Sequence, residues 1–253
     1  MQTQHSNTWS LRIIPVLLTL SSLLHGQKTI TTDEQLWFGA FNQTRISNKW
    51  GFWFDAHLRL KDQYVQDLSQ AIIRFGPTFY ITDDVRLTAA YAYVHTYPAP
   101  GHANISLPEH RPWQQVQWFQ RGKRARLMQF IRLEERFRRK VLNDNELGEG
   151  FRFNWRIRYN FSLFLPITKK KFDPGALLFN VHNEVFLNFG KQIIYNYFDQ
   201  NRLFLGLVYQ VNKHAQLQGG YMNLYQQQAA GNTFRNQHSI RIFYFHNVDL
   251  REQ

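Results

Sequence analysis

The stretch Phe151-Arg152-Phe153-Asn154-Trp155-Arg156-Ile157-Arg158-Tyr159-Asn160-Phe161-Ser162-Leu163 alternates apolar and polar residues without a break. Successive side chains of a β-strand point to opposite faces, so one face here is aromatic and aliphatic while the other carries Arg, Asn and Ser. A face turned to bulk water is served by short polar residues. Arg152, Arg156 and Arg158 point instead to a wet interior behind an apolar outer wall, the pattern of a closed barrel in lipid. Neighbouring segments repeat it. Arg132, Glu134, Arg136 and Arg138 alternate with Ile131, Leu133 and Phe137; Asn180, His182, Glu184 and Asn188 alternate with Val181, Val185, Leu187 and Phe189. Asp55, His57 and Arg59 stand opposite Phe54, Ala56 and Leu58. Glu135 falls on the apolar face and is expected near its edge, because a charge at mid-membrane costs on the order of several kcal/mol.

Working outward, the alternation predicts strands over 35–46, 50–61, 68–80, 85–96, 112–120, 125–139, 150–165, 177–189, 202–211, 215–224 and 236–247. Most exceed the roughly five or six residues of a strand in a soluble sheet and reach the nine to eleven or so that cross a bilayer at a tilt. Ser47 to Lys49, Thr82 to Asp84, Gly122 to Arg124 and Asn212 to His214 read as tight turns. Tyr97 to Arg111, Val141 to Glu149, Gly190 to Asn201 and Gln226 to Arg235 read as long connectors. Short and long connectors alternate, as they do in outer-membrane barrels. Asp62 to Asp67 is brief for the long series, and Ile167 to Gly175 is long for the short one. Single-chain bacterial barrels have even strand numbers, so the expectation is an all-β, single antiparallel transmembrane β-barrel of twelve strands, with ten as the alternative. The twelfth would come from Gln27 to Glu34.

At the start of the chain, Arg12 precedes an apolar stretch from Ile13 to Leu24, and Gly26 follows. This is the form of a secretory signal peptide, and the stretch is too short to span a bilayer as a helix. The expected division is a signal peptide over 1–26 and a barrel domain over 27–253. Removing the leader lowers the formal charge from +12 to +11, because Arg12 is its only charged residue. The chain has no cysteine, which excludes thiol chemistry, disulfides and cysteine metal sites. Its basic residues alternate within strands behind an export signal, so the positive charge does not point to nucleic acid.

The candidate polar network of the lumen is Asp55, Arg132, Glu134, Arg136, Arg156, Arg158, His182 and Glu184. These residues either pair with one another and fill a narrow interior, or present a basic surface to a small anionic solute, since the guanidinium fork suits carboxylate and phosphate. Trp50, Trp53, Trp113, Trp118, Tyr195, Tyr197 and Tyr209 are expected in girdles at the two ends of the wall. Catalytic signals are poor. His238 and Ser239 are adjacent and so face opposite ways, and Ser162 is the one serine placed near His182 and Glu184. No His-Glu-x-x-His motif occurs, and Gly190 and Gly219-Gly220 lack the strand-to-helix setting of a phosphate loop. No cofactor, metal or catalytic residue is expected.

The segments Arg132-Leu133-Glu134-Glu135-Arg136-Phe137, Asn183 to Gly190, Phe198-Asp199-Gln200-Asn201-Arg202-Leu203 and Gly220-Tyr221-Met222-Asn223 resemble the Bacteroidetes exported family numbered 2490 among domains of unknown function. The resemblance runs from about Gln35 onward. It implies a barrel in the bacterial outer membrane with outer-membrane lipid around it and no established activity. Asp199 and Arg202, which close a long connector, are then expected at the outer rim. The leading expectation is a non-enzymatic barrel, either a passive or selective porin-like pore or a structural envelope protein. The alternatives are a membrane-embedded lipid hydrolase and a soluble periplasmic lipid-binding barrel.

Overall fold

Every alternating segment is a strand in the computed structural model, which describes residues 28–252; the expected signal peptide lies outside the described residues. In chain order the strands are β1 (Thr29–Arg45), β2 (Trp50–Lys61), β3 (Asp67–Tyr80), β4 (Val85–Thr96), β5 (Leu107–Arg121), β6 (Arg126–Asn143), β7 (Glu146–Pro166), β8 (Leu177–Phe189), β9 (Phe198–Gln210), β10 (Ala215–Gln227) and β11 (Thr233–Asp249). A 3-10 turn, Leu250–Glu252, follows. Consecutive strands pair antiparallel, and β1 pairs with β11 to close the barrel.

The barrel has eleven strands, neither twelve nor ten, and its closing pair is parallel. The residues expected to supply an extra strand instead extend β1, which begins at Thr29 and runs beside β11 from Thr29 opposite Thr233 to Arg45 opposite Asp249. With every other pair antiparallel, an odd number makes the first and last strands run the same way. The evenly spaced bonds of a parallel ladder then satisfy both edges. Edge satisfaction requires closure, not an even count.

Short turns gather at one end of the barrel. In one of them the Thr82 hydroxyl accepts the N–H groups of Asp84 and Val85 at 3.2 and 3.0 Å. Arg45 donates to Asp83 at 2.6 Å and holds that carboxyl below the usual carboxylate range. At the opposite end the connector expected over Val141 to Glu149 is mostly strand: β6 and β7 continue to a two-residue turn at Asp144-Asn145 and project past their neighbours. Asn104, in the β4–β5 loop, braces that tip through its side chain to Asn145 at 2.6 Å and its N–H to the Asp144 carbonyl at 2.9 Å. The brief β2–β3 connector turns through three consecutive left-handed residues, Asp62, Gln63 and Tyr64, a conformation costing about 1–2 kcal/mol per residue.

Each strand turns at least one large apolar side chain outward and exposed: Phe38, Phe54, Ile73, Leu87, Val116, Ile131, Ile157, Leu187, Leu205, Leu217 and Ile242 in order around the chain. Glu135 faces outward opposite Trp155, which pairs in turn with Phe189, the last residue of β8, so it sits at the long-loop edge of this band. Trp50, Tyr195, Tyr197 and Tyr209 are exposed. Trp53 and Trp113, expected in the girdle, instead face inward and meet edge-on at 6.1 Å between ring centres. Their positions in the alternation match Asp55 and Gln115, so the parity of the strand outweighs their closeness to its ends.

Apolar residues also pack inside. Trp37, Phe204, Met222, Leu224 and Phe243 form a buried cluster on the inner wall of β1, β9, β10 and β11. The Phe204 ring lies over Gly206 and Gly220, which pair across β9 and β10. A β-carbon at Gly220 would meet that ring at 2.9 Å and the Leu205 carbonyl more closely still, and backbone cannot yield as a side chain can. Gly220→Ala is therefore expected to lower stability by about 1–3 kcal/mol, read as a reduced midpoint in urea unfolding.

Candidate functional site in the barrel lumen

Alternation in β6, β7 and β8 delivers Glu134, Arg156, Arg158 and Glu184 to one level of the interior, because the antiparallel register sets Glu134 opposite Arg156 and Asn160 opposite Glu184. Glu134, only 1% exposed, is the hub. Its Oε2 accepts Arg156 Nε and Nη2 at 2.7 and 2.5 Å, and its Oε1 accepts Arg158 Nη1 at 2.6 Å. Arg158 continues to Glu184 Oε1 through Nε and Nη2 at 2.9 and 2.6 Å. Arg156 continues to Asp199 at 2.8 Å. Such charge-assisted bonds are strong singly, and together they hold both ions' partners in a fixed geometry.

Asp199 reaches this network because of a β-bulge. Phe186 pairs with Gln200 and Leu187 with Phe198, so Asp199 is the extra residue and turns inward beside Gln200. Both are buried. Asp199 also receives Gln226 at 3.3 Å and lies 3.9 Å from Arg136. Arg202, the other residue expected at the rim, also lies inside: its guanidinium is over Phe186 at 4.5 Å and Trp37 at 5.1 Å. No carboxylate stands within ion-pair distance of it among the described residues; its one donated side-chain bond goes to Gln200 at 3.4 Å.

Two further groups complete the ion pairs. Glu109 accepts both Arg136, at 2.7 and 3.0 Å, and Arg111, at 2.8 Å. Asp55 accepts Arg74 at 2.7 Å, His57 at 2.8 Å and the Trp53 indole N–H. The carboxylates of Asp55, Glu109, Glu134, Glu184 and Asp199 are thus occupied by Arg74, Arg111, Arg136, Arg156 and Arg158.

A second set of inward arginines has no carboxylate within 4.0 Å among the described residues, and each is held by a glutamine carbonyl and an aromatic face. Arg59 donates to Gln70 at 2.8 Å over Trp37 at 3.6 Å. Arg132 donates twice to Gln115, at 2.9 and 2.7 Å, over Trp113 at 3.8 Å. Arg241 donates to Gln218 at 2.7 Å over Phe204 at 3.7 Å. Arg86 donates to Gln117 at 2.8 Å over Phe119 at 4.8 Å, and Arg202 belongs to the same set. A neutral amide orients a guanidinium without cancelling its charge, and the ring face stabilises the cation.

All eight residues of the expected lumen network face inward, but they do not form one cluster. Arg132 falls in the second set, and His182 is shared between Asn160 at 2.9 Å and Glu184 at 3.8 Å. Arg152, also expected inside, is exposed on the projecting part of β7. Glu109 and Arg111 went unrecognised because they fell within the connector expected to run to Arg111, whereas β5 begins at Leu107. The signal was present as the alternation Glu109-His110-Arg111-Pro112-Trp113.

The sequence pattern described as "Protein of unknown function (DUF2490)" matches residues 34–235, from within β1 to the start of β11. The chain belongs to the DUF2490 family. No curated protein and no solved structure matches it. In this DUF2490 barrel Ser162 does stand opposite His182 across β7 and β8. Its hydroxyl contacts Asn180 at 3.3 Å, however, while His182 Nε2 is engaged by Asn160, so the pair is not arranged as a nucleophile and base. Among the described residues no three His, Asp or Glu side chains converge as metal ligands.

Proposed function

We propose that this DUF2490 protein is an outer-membrane β-barrel whose interior is closed, acting as a structural or anion-retaining envelope protein and not as an open pore. The apolar band on all eleven strands carries the membrane reading: a water-facing barrel has no use for exposed Phe, Leu and Ile on every strand, whereas lipid favours them. The apolar stretch after Arg12 supports export. The closed interior rests on burial. Asp55, Asn160, Asn180, Phe186 and Phe204 face inward with no exposure, and contacts such as Trp53 to Trp113 and Arg202 to Trp37 reach across intervening strands.

A soluble lipid-binding barrel would invert this arrangement, with an apolar cavity inside and polar residues outside. An embedded hydrolase would need a serine and a histidine in contact, and among the described residues no such pair is hydrogen-bonded. Purified protein should show heat-modifiable mobility in detergent and give no steady current when reconstituted in a planar bilayer. An ohmic conductance would overturn the closed interior, and mobility insensitive to heating together with detergent-free solubility would overturn the membrane assignment.

A further inference from the structure

We infer that the lumen binds a small oxyanion, a phosphate- or carboxylate-bearing group, between the guanidiniums of Arg59 and Arg202 where both lie against Trp37. The inference deepens the closed-barrel reading by naming what the interior holds. Arg59 on β2 and Arg202 on β9 come from strands separated by β1, β11 and β10, yet both guanidiniums lie against the one Trp37 indole, at 3.6 and 5.1 Å from its ring centre. Two like charges converge there, each held by a glutamine carbonyl that leaves the charge intact.

The Nε–H groups of both arginines are buried and meet no acceptor among the described residues. The nearest acid by register is Glu184, opposite Arg202. It is already committed, with Oε1 receiving two bonds from Arg158 and Oε2 turned to His182 at 3.8 Å. An oxyanion between the two guanidiniums would accept both idle Nε–H groups and supply the negative charge the wall lacks. The planar guanidinium forks, which can give two N–H bonds to oxygens of one group, favour a compact oxyanion over chloride. Arg241 repeats the pattern one wall section away, with its Nε also idle.

The test uses the full chain folded in detergent, with inorganic phosphate titrated at constant ionic strength against chloride and read by calorimetry and by the unfolding temperature. Phosphate should bind saturably and raise the unfolding temperature, while chloride should not. Arg59→Gln and Arg202→Gln should each weaken phosphate by about tenfold or more, as expected for loss of a charge-assisted bond. Arg235→Gln, at the mouth beside Asp33, should leave the affinity unchanged.

A parallel titration with monomeric short-chain phosphatidate separates the sources. Binding of inorganic phosphate assigns a free solute; binding of phosphatidate alone assigns a lipid headgroup, provided both variants lose it. Absence of saturable binding of either ligand by the wild-type protein overturns the inference, as does unchanged affinity in the variants. Heat-modifiable mobility, measured on the same samples, reports on the barrel itself, so failure of the anion site is distinguishable from failure of the barrel reading.

Discussion

Glu134→Gln should cost about 3–5 kcal/mol of stability, because it removes the negative partner of two buried arginines without removing their charge. The carboxylate takes three bonds of 2.5–2.7 Å from Arg156 and Arg158. Glutamine has nearly the same shape but only one acceptor oxygen, and its amide hydrogens point at cations. Arg156 would keep Asp199 and Arg158 would keep Glu184, so the barrel should still form but unfold at a markedly lower urea concentration. Equilibrium unfolding of the folded protein in detergent, followed by tryptophan emission, measures the difference. A loss below about 1 kcal/mol would mean that water reaches the hub and screens it, as at an exposed ion pair, and the closed interior would have to be abandoned.

Leu205→Arg should abolish or severely reduce folding into lipid vesicles. Leu205 sits midway along β9, 41% exposed, with Val181 on β8 and Tyr221 on β10 as its outward neighbours. At the bilayer midplane an outward Arg costs about 2–4 kcal/mol, falling to about 0–1 near the interface. Asn201→Arg, nearer the long-loop end of the same strand and face, gives up two hydrogen bonds with Asn183 but places no charge at the midplane, and should fold far better than Leu205→Arg. The fraction of heat-modifiable protein after refolding into vesicles separates the two. If Leu205→Arg folds as readily as Asn201→Arg, the outward face meets water, where a surface change stays within about 0.5 kcal/mol, and the membrane assignment fails.

Much of this was legible from the order of residues. Strands β2, β4 and β8 have the bounds that alternation alone predicts, since a period of two over twelve or thirteen residues has no helical counterpart. The same parity placed Glu134, Arg156, Arg158 and Glu184 on the inner face. Parity fails where the backbone breaks it. Asp199 enters the lumen through a bulge, which no local pattern announces, and was accordingly expected at the rim with Arg202. Trp53 and Trp113 were assigned by their nearness to strand ends, although their parity with Asp55 and Gln115 already pointed inward.

The sequence by itself determined that the wall is built of two-faced strands with an apolar face and an arginine-rich face, because side-chain direction in a strand is a local property of the backbone; the count it led to was twelve, and closure set it at eleven. It did not determine how the wall closes, since pairing of β1 with β11 joins residues two hundred positions apart and depends on strand direction rather than composition. Nor did it distinguish the arginines that meet a carboxylate from those left to glutamine and aromatic rings. That division depends on which side chains converge across the lumen, and convergence exists only once the barrel has closed.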